Sequence, residues 1–212
     1  TEVEPFHLVF CDGFEGLDEV SAHVTGHRYV LRFVDYASGI RKSYSCAAKD
    51  KFSQALQMFL AWIQCIAPII EKHRDLPPGH IRCRVLCSDR DSNMVTIVGD
   101  RRTKFDDITV EHCIHRYFAD TADSDTASAV EATFATSIKR AEKARLQSGL
   151  PERFAMWGWL DDEDKFAYRP TTANVLGRGE PPNATLGLSM NINKFQPFGC
   201  VGTVYLKNKG LY

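Results

Sequence analysis

Residues 6–12, FHLVFCD, decide the fold, because this short apolar run stops abruptly at an Asp-Gly pair. A run rich in aromatic and β-branched residues that ends at turn formers predicts a buried strand. Two similar runs, residues 27–34 (HRYVLRFV) and 40–46, flank the turn DYASG and predict a hairpin. Residues 81–87, IRCRVLC, repeat the first pattern and stop at a Ser-Asp pair. These runs together predict four strands.

Helical patterns occur between and after these strands. Apolar residues recur at helical spacing over about 49–73, which predicts an amphipathic helix that ends at LPPG, residues 76–79. A strand candidate lies within 110–118, and a small, polar loop is predicted over 119–128. The remaining predicted segments are a helix over 129–147, a helix from Pro151 towards Ala167, an irregular stretch over 169–182 and a strand over 195–206.

The order of these elements predicts an α/β fold, a mixed sheet flanked by helices. We expect a core over residues 1–150 and a helical, irregular C-terminal extension over 151–212 that packs on it. The 44% hydrophobic content is that of a globular protein and excludes disorder, collagen and coiled coil as global descriptions. No apolar run reaches the ~18 residues of a membrane span, so no membrane partner is expected.

The charges and the cysteines further restrict the class of protein to which the chain could belong. Lys+Arg total 26 against 27 Asp+Glu, and the net charge of −1 does not mark a nucleic-acid-binding protein, so such a role would depend on local patches. The seven cysteines lie mostly in apolar runs, which is typical of reduced thiols in an intracellular protein. His23, His27, Cys83 and Cys87 resemble a zinc set, but about 55 residues separate the two pairs, and we predict no zinc site.

Three acidic residues stand at the ends of predicted elements. Asp12 and Asp89 follow strands, and Glu131 lies in the first turn of the helix predicted over 129–147. Two Mg²⁺ ions roughly 4 Å apart require several converging carboxylates, and the ends of rigid elements hold such ligands in place. Acidic residues are also common turn formers and stabilise the first turn of a helix. The residues alone leave both interpretations open.

Five segments occur in an order known from one family of proteins. They are HLVFCDGFEGL (7–17), GHRYVLRFVDYASGIRKSY (26–44), RVLCSDRDSN (84–93), VEATFATSIKRAEKARLQSGLP (130–151) and FQPFGCVGTVYL (195–206). In these segments the sequence resembles the catalytic core of a copia-type (Pseudoviridae) retrotransposon integrase. The resemblance implies an RNase H-like fold with a D, D, E active site, formed here by Asp12, Asp89 and Glu131.

The same resemblance implies an activity, cofactors and partners. The activity is that of a polynucleotidyl transferase that processes 3′ ends and joins retroelement DNA ends to target DNA. Asp12, Asp89 and Glu131 would hold two Mg²⁺ or Mn²⁺ ions. The family also implies a homo-oligomer that occurs in a cytoplasmic particle and in the nucleus.

Positive and negative charges cluster near the predicted Glu131 helix. Lys139, Arg140, Lys143 and Arg145 lie on that helix and would bind DNA phosphates weakly, although a solvated helix face explains them equally well. The run DDED, residues 161–164, would repel DNA, so we expect it to face solvent or a partner.

The chain departs from the family pattern in its loops. Residues 90–94 read RDSNM where the family has Asn-Gly-Gly-Glu-Phe, and residues 123–128 read DSDTAS in place of Pro-Gln-Gln-Asn-Gly. An insertion around 94–102 would account for the long separation between Asp89 and Glu131. Two alternatives therefore stay open: a domesticated integrase-like domain that binds DNA or protein without transposition, and another RNase H-like nuclease.

Overall fold

A computed structural model describes residues 3–15, 26–88, 94, 102–118, 124–190 and 199, with side chains for all of these except 124–134 and 153. In this part of the chain, five strands form one mixed sheet in the order β3-β2-β1-β4-β5. The β1–β2 and β2–β3 pairs are antiparallel, whereas β1–β4 and β4–β5 are parallel. The strands are β1 (Leu8–Glu15), β2 (Tyr29–Asp35), β3 (Arg41–Cys46), β4 (Val85–Ser88) and β5 (His115–Phe118).

The hairpin between β2 and β3 is closed by the buried carboxylate of Asp35. Its Oδ2 accepts hydrogen bonds from the backbone N–H and the hydroxyl of Ser38, at 2.9 and 2.6 Å, and its Oδ1 accepts one from the N–H of Phe6, at 2.8 Å. Burial raises the pKa of Asp35 to about 6. Gly39 follows with φ +70°, a conformation that favours glycine, and a Cβ there would lie 3.0 Å from the carbonyl oxygen of Ala173. The predicted DYASG turn is therefore held in place by the hydrogen bonds of Asp35 and by the backbone conformation of Gly39.

One face of the sheet is covered by the long helix α1 (Phe52–His73), as the apolar periodicity predicts. Its inward residues Leu56, Phe59 and Ile63 are almost fully buried, and the ring of Phe59 stacks on Phe33 of β2 with the centroids 4.2 Å apart. By length and composition alone, the segment Lys49–His73 could also cross a membrane. Here the apolar side of the helix packs on the sheet, which is the arrangement of a core helix in a globular domain.

The other face of the sheet is covered by α3 (Ser124–Ser148) and α4 (Ala155–Phe166). The two remaining α-helices are short: α2 (Lys104–Glu111) and α5 (Pro182–Thr185). Helix α4 packs on α3 and on β3. The division into a core and an extension at residue 150 stays a prediction. The core of this face contains Phe10, Val30, Cys87, Ala141, Met156 and Trp159.

The ends of β1 and β4 differ from the predictions. Strand β1 does not stop at the Asp-Gly pair: it stays paired with β2 up to Glu15, so Asp12 lies within the strand and not at its end. Strand β4 begins at Val85, whereas the apolar run predicts a start at residue 81.

The start of α3 also differs from the prediction. Helix α3 begins at Ser124, so residues 124–128 are helical and not part of the predicted polar loop. That segment contains no Gly or Pro, and its small and acidic residues are compatible with a helical N-terminus. The short strand predicted within 110–118 is confirmed as β5, which begins after α2 ends at Glu111 and Cys113 adopts φ +53°. The strand predicted over 195–206 lies outside the described residues, apart from Gly199.

Candidate active site

The register of β1 and β4 brings together the residues that precede the two predicted aspartates. Cys11 and Ser88 are partners in this parallel pair. Asp12 follows Cys11 within β1 and is partly buried, and Asp89 follows Ser88 in the sequence. Asp89 itself lies outside the described residues. The two strand segments that precede the aspartates are therefore neighbours at the same level of the sheet.

Alternation along β1 assigns Asp12 to the α3–α4 face of the sheet. Leu8, Phe10 and Phe14 all pack in the cluster under α3 and α4. Since alternate residues of a strand share a face, Asp12 belongs to the same side. Cys87 of β4 also packs in this cluster, where it is almost fully buried. The thiol next to the predicted site is thus part of the apolar core.

Glu131 is the eighth residue of α3, so the prediction that it lies in a first helical turn is wrong. The reason is the earlier start of the helix at Ser124. Position 131 precedes Ile138 by seven residues, about two turns, and therefore lies on the same helix face. Ile138 packs against the sheet cluster. The backbone of α3 thus carries position 131 on its sheet-facing side, while the side chain of Glu131 is outside the described set.

Asp12 is the one predicted metal ligand whose side chain is described. Among the described residues, no group of three His, Cys, Asp or Glu side chains converges on a metal site. The three predicted donors are all carboxylates, and carboxylate oxygens are the hard ligands that Mg²⁺ and Mn²⁺ take. The donor chemistry therefore fits these ions.

Arg32 of β2 lies directly opposite Asp12 in the antiparallel pair. Its side chain is 2% exposed, and its Nη2 is 2.6 Å from Oε1 of Glu163, which is equally buried. Burial lowers the pKa of Arg32, and the negative charges of Glu163, Asp162 and Asp12 oppose this shift. A buried ion pair thus lies beside the predicted metal ligand.

Glu163 connects three elements around this ion pair. Its Oε1 accepts a hydrogen bond from the hydroxyl of Ser137 in α3 at 2.9 Å, and its Oε2 accepts one from Ser43 in β3 at 3.2 Å. Ser43 in turn accepts a hydrogen bond from Nε of Arg32 at 3.2 Å. Helix α4 is therefore fixed to the sheet and to α3 through one carboxylate.

The prediction that the acidic run 161–164 faces solvent or a partner is wrong for its two central residues. Asp162 is 5% exposed and Glu163 is 2% exposed. Asp162 is paired with Arg169 at 2.9 Å, and Glu163 with Arg32. One feature of the sequence indicated a buried acid: Arg32 lies in the middle of the apolar run HRYVLRFV. An arginine in a buried strand needs a buried partner of opposite charge.

A groove between α3 and α4 collects basic side chains around a cavity of about 690 Å³. Arg140 and Lys143 of α3 line it, and so do Lys165 and Arg169, which sequence reasoning missed. These residues show no common periodicity in the sequence, because only the packing of the helices brings them together. Lys165 is paired with Asp161 at 2.6 Å, as Arg169 is with Asp162. The six charged lining residues therefore leave the groove positive.

The four basic residues predicted on α3 divide into two groups. Lys139, Arg140 and Lys143 are exposed, and the latter two line the groove. Arg145 instead binds Glu142 through its Nε at 2.9 Å and the carbonyl oxygen of Leu150 through its Nη1 at 2.8 Å. Arg145 therefore stabilises the end of α3.

The fold is similar to that of a known enzyme domain. No family model and no curated protein matches the chain. A solved structure of the HTLV-2 integrase catalytic core domain, in complex with magnesium and in a trimeric form, superposes with a TM-score of 0.51. The two are 13% identical, and the match covers 82% of this chain and 93% of that chain. The predicted RNase H-like α/β fold is confirmed, and the copia-type resemblance stays a prediction.

Proposed function

We propose that this chain is the catalytic core of a copia-type retrotransposon integrase, a metal-dependent polynucleotidyl transferase that joins retroelement DNA ends to target DNA. The observation that carries the proposal is the parallel partnership of Cys11 and Ser88, each followed in the sequence by an aspartate. It occurs on a fold shared with a retroviral integrase core. The sheet-facing position of Glu131 on α3 adds support.

In the proposed mechanism, Asp12, Asp89 and Glu131 would hold two Mg²⁺ or Mn²⁺ ions. The ions would activate a water or a DNA 3′-hydroxyl and stabilise charge on the attacked phosphate and the leaving oxygen. Asp12 lies within β1 and position 131 lies within α3, so regular elements carry two of the three proposed ligands. The HTLV-2 core was solved with magnesium, which supports the choice of ion.

The groove between α3 and α4 is the proposed site of phosphate contact. Its positive charge comes from Arg140 and Lys143, because the acidic lining residues Asp161 and Asp162 are already paired with Lys165 and Arg169. Contacts of this kind give weak, strongly salt-dependent binding. Lys139 is exposed next to Arg140 and extends the same surface.

Assembly and location belong to the same proposal. The HTLV-2 core was solved in a trimeric form, which supports a homo-oligomer for this chain. A cytoplasmic particle and the nucleus are the proposed locations of a retrotransposon integrase.

Two alternatives make different predictions in one assay. A domesticated domain, favoured by the net charge of −1 and by the replaced loops at 90–94 and 123–128, binds DNA or protein and does not join DNA ends. Another RNase H-like nuclease cleaves with divalent ions but does not join ends. The test is strand transfer with Mg²⁺ or Mn²⁺ on oligonucleotides that carry the element's own ends. Metal-dependent joined product supports the integrase, whereas cleavage without joining, or binding alone, contradicts it.

A further inference from the structure

A buried positive charge lies beside the proposed metal ligand. Arg32 and Asp12 are directly opposite each other in β1 and β2, so their side chains lie on the same face of the sheet. A cation at this position opposes the binding of a divalent ion, and burial strengthens the effect because the interior screens charge poorly. A metal site here requires that the charge of Arg32 be compensated.

Glu163 supplies that compensation. Its carboxylate is 2.6 Å from the guanidinium of Arg32, and both side chains are 2% exposed. Both oxygens of Glu163 also accept serine hydrogen bonds, from Ser137 and Ser43, which hold the carboxylate in place. The neighbouring Arg41 is 8% exposed. Burial lowers the pKa of Arg41 to about 10, and the negative charge of Glu163 is the main influence that opposes this shift. Glu163 is therefore the strongest negative charge acting on both buried strand arginines, and Asp162 acts on both more weakly.

We propose that Glu163 is a positioning residue for the metal site: it pairs with Arg32 and so reduces the repulsion between that cation and a divalent ion at Asp12. This inference rests on the proposed function, because it takes Asp12 as a metal ligand. The network also reaches the helix that carries Glu131, since Ser137 of α3 donates to the same carboxylate. A purely structural role for Glu163 is the alternative to be tested.

The two roles are separated by the sign of the effect on metal binding. Mn²⁺ binding to the whole chain is measured by electron paramagnetic resonance of free Mn²⁺, without DNA. In Glu163→Gln, Arg32 loses the carboxylate at 2.6 Å, and we expect binding to weaken about tenfold or more. In Arg32→Met the cation is gone, and we expect Mn²⁺ to bind at least as tightly as in the wild type. A structural role predicts that both single variants bind Mn²⁺ more weakly.

A double variant and a matched control complete the series. Arg32→Met with Glu163→Gln removes both charges and is expected to restore wild-type binding. Asp164→Asn removes the same charge one residue further along α4, where the partner is Lys42 at 2.9 Å and the carboxylate is 60% exposed. Because exposed charges are screened, we expect this control to change the affinity by less than about twofold.

The outcomes that overturn the inference are distinct from those that overturn the proposed function. If the wild type binds Mn²⁺ and Glu163→Gln binds it equally well, or if Arg32→Met weakens binding, Glu163 does not act through the charge of Arg32. Should Glu163→Gln fail to fold, Arg32→Met and the double variant decide, and weaker binding by Arg32→Met contradicts the inference. A wild type that binds no Mn²⁺ overturns the metal site, and this inference with it.

Discussion

Cys11 of β1 lies opposite Ser88 of β4 in a parallel pair, and each of these residues is followed in the chain by an aspartate. Since side chains alternate along a strand, Asp12 belongs to the face covered by α3 and α4, where Cys87 also packs. The metal-dependent chemistry proposed above is therefore expected on this face and not on the one covered by α1.

Replacement of Glu131 by glutamine tests the third proposed ligand. The change keeps the size of the side chain and removes its charge, so strand transfer should fall on the order of a hundredfold or more. The free energy of unfolding should stay the same or rise slightly, because clustered carboxylates repel one another without metal. The measurement is joined product per time, with urea unfolding as the folding control. A folded, DNA-binding variant that joins ends as fast as the wild type would remove Glu131 from the site.

Removal of charge from the groove should change the salt dependence of DNA binding. In Arg140→Ala and Lys143→Ala, the slope of log affinity against log salt concentration should fall by about 1 for each phosphate that the protein no longer neutralises. Fluorescence anisotropy of a labelled duplex over a range of salt concentrations measures this slope.

Arg145→Ala is the matched control for the groove variants. Its side chain is engaged by Glu142 and by the Leu150 carbonyl, so its removal should lower stability and leave the salt slope unchanged. Equal slopes for the wild type and the groove variants would contradict the assignment of phosphate contacts.

The charge balance of the buried pair Arg32–Glu163 should also affect the free energy of unfolding. Glu163→Gln removes the carboxylate paired with the buried Arg32 and should cost about 3–5 kcal/mol of unfolding free energy. The double variant Arg32→Met with Glu163→Gln removes both members of the pair and should be more stable than Glu163→Gln alone. Urea unfolding of both variants measures the difference. A double variant as unstable as the single one would mean that packing, and not charge, sets the cost.

Asp35 should make a pH-dependent contribution to stability. Burial raises its pKa from the ordinary value of 3.8 to about 6 in the folded protein, so the folded state holds this proton more tightly than the unfolded chain. Its contribution is thus complete below pH 3.8 and is lost as the pH rises through about 6, by roughly 3 kcal/mol at most. The free energy of unfolding of the wild type, measured relative to that of Asp35→Asn, should therefore fall as the pH rises from 4 to about 7. A difference that is constant over this range would contradict the raised pKa.

The strands and the helix α1 could be predicted because their signals are local. The apolar runs at 6–12 and 81–87 each mark a strand, and the apolar residues of 49–73 repeat at helical spacing. The strand ends were less accessible, because pairing with β2 carries β1 through the Asp-Gly pair to Glu15. The start of α3 at Ser124 could not be placed in this way, because a small, polar segment carries no apolar period to distinguish helix from loop. The strand pattern does not reveal the order of the strands, which follows from long-range pairing.

The candidate site was only partly accessible from the sequence. Asp12 could be selected because it follows an apolar run, although β1 continues past it to Glu15. The arginine opposite it and the burial of Glu163 depend on strand pairing and on how α4 packs against β2 and β3. The run DDED resembles a solvated surface segment, since four adjacent acids show no preferred face. The groove residues Lys165 and Arg169 meet α3 only in the folded chain.

Divalent-ion-dependent joining by the wild type and by Asp12→Asn tests the central claim most directly. Asp12 is the ligand that the strand register supports best, and asparagine keeps its shape while removing its charge. The account predicts that the wild type joins element ends only with Mg²⁺ or Mn²⁺, and that the folded Asp12→Asn variant joins them on the order of a hundredfold more slowly or not at all. Joining that persists without divalent ions, or that is equally fast in Asp12→Asn, would contradict it.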